Sequence, residues 1–240
     1  MSELTRRVTT DVEALSDPTR AADHRRYFRE EIETYGLAMP DVKKIAGIYY
    51  KELKGDLPRA MGLTEELLQT RNLSLSDVGI HMLKRFKLHI KGTHFSRFDG
   101  WVDYLTNWAN TDNLCCGLIA LAVKDDQGYL ESLVKWTGSE NRWRRRASAV
   151  SLVPIVRRGD LFEDSLRVAD RLMPDGDDMV RKGVGWMLKE ASKVHPQEVH
   201  EYLVKWKPDA PALTLRYASE KLPEELKVYK SRYMFTYRAR

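Results

Sequence analysis

The tetrapeptide Leu133-Val134-Lys135-Trp136 recurs unchanged as Leu203-Val204-Lys205-Trp206, and a repeat constrains architecture more firmly than local preference does. The two copies lie two units of about 35 residues apart, the period of a helix pair. Between them Arg145 to Leu152 slides onto Arg181 to Leu188, setting Ala147 against Gly183 and Leu152 against Leu188. Elsewhere apolar residues recur at intervals of three and four rather than two, so helices are expected throughout and strands nowhere. Antiparallel helix pairs would then stack into an all-α solenoid of HEAT-like repeats, a superhelix with a concave basic groove, in one domain over residues 1–240.

Punctuation in the sequence places the helix ends. Asp17-Pro18 reads as an N-cap followed by proline at the first helical position, and Met39-Pro40 opens another helix after Gly36. Asp56 to Pro58, Ser74 to Asp77, Ser139-Glu140 and Pro174 to Asp178 punctuate the remainder. Helices of about 12 to 18 residues joined by short loops are predicted, each tetrapeptide copy ending one of them.

Composition removes several classes of protein. Charged residues make up 31% of the chain, and the longest apolar run, Cys115 to Val123, is half a bilayer span. With 42% hydrophobic residues and six tryptophans there is enough to bury a core. The only cysteines, Cys115 and Cys116, are adjacent, where ordinary disulfide geometry is hard to reach. Met1 to Leu15 lacks the apolar stretch of a signal peptide. A reducing cytoplasm is the expected compartment, at the nucleoid if the source is bacterial, with no membrane partner and a monomeric state.

Forty Lys and Arg against 35 Asp and Glu leave a formal charge of +5, and its placement matters more than its size. Lys84, Arg85, Lys87, Lys91 and Arg97 crowd one segment with His89 and His94; Arg142, Arg144, Arg145 and Arg146 crowd another. A third cluster, Lys227, Lys230, Arg232, Arg238 and Arg240, belongs to a basic aromatic tail over 226–240. One such cluster is ordinarily a solvated face; three together favour an anionic partner.

The chain has no Gly-rich phosphate loop, CxxC, HExxH or GxSxG, so dinucleotide, zinc and serine-hydrolase readings have no foundation and no cofactor or metal is implied. Tryptophans beside charges remain. In Trp108-Ala109-Asn110-Thr111-Asp112, either Asp112 or Asn110 caps the next helix while Trp108 fills the core, or a carboxylate beside an indole stabilises a cationic transition state. In Asn141-Arg142-Trp143-Arg144-Arg145-Arg146, capped by Ser139, the arginines form either a solvated face or a phosphate contact near a helix N-terminus. Pro154 ends or kinks that helix soon afterwards. In Lys182-Gly183-Val184-Gly185-Trp186-Met187-Leu188-Lys189, two glycines cost roughly 1 kcal/mol each in a helix. Close packing or a close ligand must compensate, and Trp186 is either core or a partly uncovered indole.

Trp108 with Asp112, Trp143 with Arg145-Arg146, and Gly183 to Lys189 stand in an order that resembles the HEAT-like-repeat DNA alkylation repair proteins, the AlkD-type alkylpurine DNA glycosylases, from about Tyr27 to Leu222. The resemblance implies that Trp108 and Trp186 press on the deoxyribose of the damaged nucleotide with Asp112 as the catalytic carboxylate. It implies that Arg146 holds the neighbouring phosphate and that Tyr27 contacts DNA; Arg145, Arg142, Trp143, Lys182 and Lys189 are further candidate DNA contacts. The chain departs from the pattern at Ala38, where a polar contact is expected, and in a segment one residue longer between the arginines and Trp186.

The expected activity is hydrolysis of the N-glycosidic bond of N3- or N7-alkylated purines in duplex DNA. Such a base already carries positive charge and leaves without a general acid, while a carboxylate and indole faces stabilise the oxocarbenium-like sugar. Two alternatives stand beside it: a non-catalytic HEAT-like scaffold for bent or branched DNA, and a protein-binding solenoid.

Overall fold

The computed structural model describes residues 1–229, and the chain divides into two compact units, the first Met1–Tyr129 and the second beginning at Leu130. Among the described residues both units are helical, and β pairing is confined to an isolated bridge between Glu33 and Asn72.

The first unit contains α1 (Glu3–Glu13), α2 (Pro18–Tyr27), α3 (Met39–Leu53), α4 (Leu57–Gln69), α5 (Leu73–Leu83), α6 (Phe95–Trp101), α7 (Trp108–Leu114) and α8 (Ala120–Asp125). Helices α3, α4 and α5 pack on one another with α1 against them. Ile45, Leu53, Leu67, Leu68, Ile80 and Leu83 are buried, each contributing roughly 1.5–3 kcal/mol by leaving water. Tyr49 joins this core and its hydroxyl donates to Asp11 on α1 at 2.8 Å.

Between α2 and α3 the chain runs extended, tied to the start of α5. The Leu73 amide donates to the Glu33 carbonyl at 2.7 Å, and Ser74 Oγ accepts the Tyr35 amide at 3.2 Å. This fastening packs Phe28 and Ile32 beside Leu73 and seats Trp108 and Ala109 on them.

The second unit contains α9 (Leu130–Trp136), α10 (Arg142–Val150), α11 (Val153–Val156), α12 (Phe162–Leu172), α13 (Asp178–Ala191), α14 (Pro196–Trp206) and α15 (Ala212–Ser219). Helix α13 packs between α10 and α15. The repeated tetrapeptides form the last turns of α9 and α14. The two octapeptides that align by sliding lie on α10 with the turn after it, and on α13, where Ala147, Gly183, Leu152 and Leu188 are all buried.

Polar bonds repeat with the sequence. Arg167 of α12 pairs with Glu131 of α9, 36 residues away, and Trp206 Nε1 of α14 donates to Asp170 of α12, also 36 away. Arg142 and Asp177 are 35 apart, and Arg157 and Glu190 are 33 apart. Each bond reaches one repeat along the chain, as expected where each repeat touches only its neighbours.

Several helix ends fall where the sequence places them: Asp17, Asp56 and Asp177 cap α2, α4 and α13. Two do not. Ser74 to Asp77 lies inside α5, because Asn72 is the cap and accepts from the amides of Ser74 and Leu75. Asn141, not Ser139, caps α10 and accepts from the Trp143 amide at 2.9 Å. Helices are also shorter than predicted, the longest among the described residues being the 15 residues of α3 and many only 7 to 11, since tertiary packing rather than length sustains them.

Asp177 joins capping to repeat stacking: it accepts from Met179 and Val180 and pairs with Arg142 at 3.1 Å. Asp177→Ala is expected to cost about 1–2 kcal/mol, and Asp177→Asn less because asparagine caps well. Urea unfolding measures this, and an unchanged midpoint for the alanine variant would refute the assignment.

Candidate functional site

In the first unit the residues around Trp108 form a fastened platform. Asn107 caps α7: its Oδ1 accepts the Asn110 amide at 2.9 Å, and its carbonyl accepts the Thr111 hydroxyl at 2.7 Å. Asp112 and Asn110 therefore lie within α7, and neither caps a later helix; the chain continues through one π turn, Cys115–Ile119, into α8. Trp108 and Asp112 are four residues apart and share a helix face.

Trp108 stacks on Phe28 at 5.3 Å between centroids and meets Tyr27 edge-on at 6.1 Å. Tyr27 is 71% exposed. The structure thus brings together Tyr27 and Trp108, which the sequence places in separate segments, and leaves Trp108 only partly covered.

Beneath α7 runs a polar network that sequence reasoning did not find. Asp77 of α5 accepts from Asn110 Nδ2 at 3.0 Å and Asn113 Nδ2 at 3.2 Å, and Lys84 Nζ donates to Asn113 Oδ1 at 2.8 Å. Burial pushes the Asp77 carboxyl up to about 6, against the hydrogen bonds from Asn113 and Asn110 and the charge of Lys84. The available signal was Asn110 and Asn113 three apart on one face of a short helix.

In the second unit the arginines of α10 are drawn into structural bonds. Arg145 Nε meets Asp175 at 2.7 Å, while its Nη1 donates to the carbonyls of Ser139 and Glu140 at 2.9 and 3.0 Å. Arg146 is 5% exposed and donates to the Met179 carbonyl. Trp143 is buried with the Arg142 guanidinium 4.5 Å above its ring, and Arg144 lies 5.3 Å over Trp136. Helix α10 ends at Val150, before Pro154.

On α13 both glycines serve close packing. A Cβ at Gly185 would stand 2.5 Å from Tyr217 Cβ of α15, and one at Gly183 would stand 3.3 Å from Arg146 Cγ. Lys182, Trp186 and Lys189 follow one another at i, i+4 and i+7, each half-buried, and Lys189 pairs with Glu220 at 3.2 Å.

The basic clusters are less concentrated than the sequence implies. Lys91 pairs with Asp125 at 3.4 Å and Arg97 with Glu65 at 2.6 Å. In the third cluster Lys227 pairs with Glu224; the rest of the expected tail, from Lys230, lies outside the described residues. Cys115 is buried and Cys116 half-buried, and no helix among the described residues is long and apolar enough to cross a membrane.

Residues 8–222 match the family described as DNA alkylation repair enzyme. No curated protein matches the chain. Among solved structures, a predicted DNA alkylation repair enzyme from Enterococcus faecalis is similar with a TM-score of 0.76 at 18% identity, over 87% of this chain and 97% of that one. AlkD2 from Streptococcus mutans is similar with a TM-score of 0.58 at 19% identity, over 78% of this chain and 91% of that one. The protein smu.31 from Streptococcus mutans UA159 reaches 0.53 at 19% identity, over 76% of this chain and all 100% of that one. At these identities the likeness establishes a common fold.

The Asp77 network makes stability depend on pH. Its folded value near 6 lies above the ordinary 3.8, so the folded state holds this proton more tightly than the unfolded state. That stability is full below about pH 4 and lost as pH rises through about 6. Asp77→Asn keeps an acceptor for both asparagines and removes the titration, so thermal melts should favour the variant increasingly from pH 4 to 7, by roughly 1–3 kcal/mol at the upper end. Parallel melting profiles for the two proteins would sink this assignment.

Proposed function

The chain belongs to the DNA alkylation repair enzyme family, and from that premise we propose that it hydrolyses the N-glycosidic bond of N3- or N7-alkylated purines in duplex DNA. The observation that carries this reading is the position of Asp112. It lies inside α7, capped independently by Asn107, on the face that carries the partly uncovered Trp108. A carboxylate not used as a cap, next to an indole and near the exposed Tyr27, suits a sugar that becomes cationic.

The chemistry asks little of the protein beyond that. An alkylated purine with a fixed positive charge is already a good leaving group, so no side chain has to protonate it. As the bond to the sugar lengthens, charge moves to the deoxyribose, where the Asp112 carboxylate and the Trp108 ring stabilise it; water then adds to the anomeric carbon and releases a proton to solvent. Trp186 supplies a second indole to the same duplex. Arg146, bonded to the Met179 carbonyl, offers only its small exposed edge to a phosphate, and Arg142, Lys182 and Lys189 supply the charge along the backbone, while Arg145 acts by fixing the turn at Asp175 and Trp143 by supporting Arg142. The protein works as a monomer, as one catalytic domain, without cofactor.

Asp112→Asn keeps shape and removes charge. Because Asn107 is the cap, the start of α7 should stay capped and DNA binding should persist, while single-turnover release of N7-methylguanine drops by on the order of 10²- to 10³-fold. A fully active variant would move the protein to the non-catalytic DNA-binding reading.

Neutral lesions form the control on leaving-group chemistry. Uracil and hypoxanthine should stay in place under conditions that release N3-methyladenine. Efficient uracil excision would mean the protein activates leaving groups by a group not recognised above.

A further inference from the structure

We propose that the recess lined by Lys43, His81, Lys84 and Arg85 is a phosphate-binding subsite that takes one phosphodiester of a nucleic-acid backbone. The identity of the anion rests on the proposed function; the recess does not. It has a volume of about 240 Å³, and among the described residues these four line it. Three are cationic and the fourth is an imidazole.

Three segments of the first unit supply them. Lys43 comes from α3, His81 from the last turn of α5, and Lys84 and Arg85 from the short 3-10 turn that follows. Arg85 is held over the Tyr50 ring at 5.8 Å and donates to the Lys43 carbonyl at 3.4 Å. Lys84 is aimed by its bond to Asn113, the residue after Asp112 on α7. The recess therefore adjoins the helix that carries the candidate carboxylate.

Its three cations are offset only in part, by Asp77 near Lys84. Lys91, Arg97, Arg145, Arg157, Arg167 and Lys189 each face a carboxylate. Among the described residues, none of Lys43, His81, Lys84 and Arg85 makes an ion pair. Like charges gathered in one recess repel, and an oxyanion with several acceptors removes that repulsion.

The groups facing His81 report the same field. Burial, then the charges of Lys84, Lys43 and Arg85, pushes its imidazole down to about 4. The acidic groups near Lys84 are Asp77, on α5, and the Cys116 thiol on the π turn. Neither offsets the cations at His81. An anion seated in the recess would raise the imidazole's proton affinity, whereas an empty recess leaves it neutral at pH 5 and above.

The test follows the His81 ring by NMR in the full chain, its signal identified by its loss in His81→Gln. The probes are inorganic phosphate, an undamaged DNA duplex, and the same duplex with neutral methylphosphonate linkages. Inorganic phosphate and the native duplex should each bring a His81 titration into the window from pH 5 to 7, and the neutral duplex should not. Replacing the exposed Lys43 and Arg85 together by alanine should weaken duplex binding about tenfold and reduce the log-log salt slope by about 0.9, the share of one phosphate.

The outcomes separate the two claims. A His81 signal unmoved by phosphate and duplex, in protein that still releases alkylated bases, overturns the subsite and leaves the proposed function standing. A signal moved by both in protein that releases no base supports the subsite while the proposed function falls. Movement with inorganic phosphate but not with duplex overturns the phosphodiester assignment.

Discussion

A seven-residue helix makes too few internal hydrogen bonds to persist in water alone, because nucleation costs more than so short a run returns. Helix α7 exists because of what it is fastened to. Asn107 satisfies its first amides, Asp77 holds Asn110 and Asn113 from α5, and Trp108 leans on Phe28. Everything ascribed to Asp112 depends on that fastening. The network is polar where a hydrophobic seam would have been simpler, and polar bonds fix the rotation of a helix more sharply than apolar contacts do.

The same economy governs the second unit, where α13 approaches α15 closely only because residue 185 has no side chain, and leaves room for Arg146 only because residue 183 has none. Two positions that look like defects in a helical pattern are what let three helices lie against one another. The cost of glycine in the helix interior is offset by the burial of Val184, Met187 and Leu188 between them.

Much of this was legible in the chain. The repeated tetrapeptide ends α9 and α14, three aspartates cap the helices they precede, and the order of Trp108, Asp112, Trp143 and Trp186 pointed to the family that the comparison then established. What failed shares one cause. A cluster of bases in sequence says nothing of the acid one repeat away, so Arg145 and its Asp175, or Arg97 and its Glu65, could not be paired by inspection. Caps failed where two suitable residues stood close together: Asn72 won over Ser74, and Asn141 over Ser139, because only one of each pair has its side chain beside the open amides. The recess at His81 was half visible, as Lys84 and Arg85, but Lys43 reaches it from another helix.

The bonds that each span one repeat have a further consequence, for the order in which the second unit comes apart. A structure coupled only between neighbours has no long-range closure to hold it, so its ends open first and often while its middle stays shut. Helix α13, flanked on both sides, would be the last to exchange its amide protons; α9 and α15, each with fewer helix partners among the described residues, would flicker open on a faster timescale. The same low sequence separation lets folding begin at any adjacent pair of helices and spread outward, without waiting for distant parts of the chain to meet.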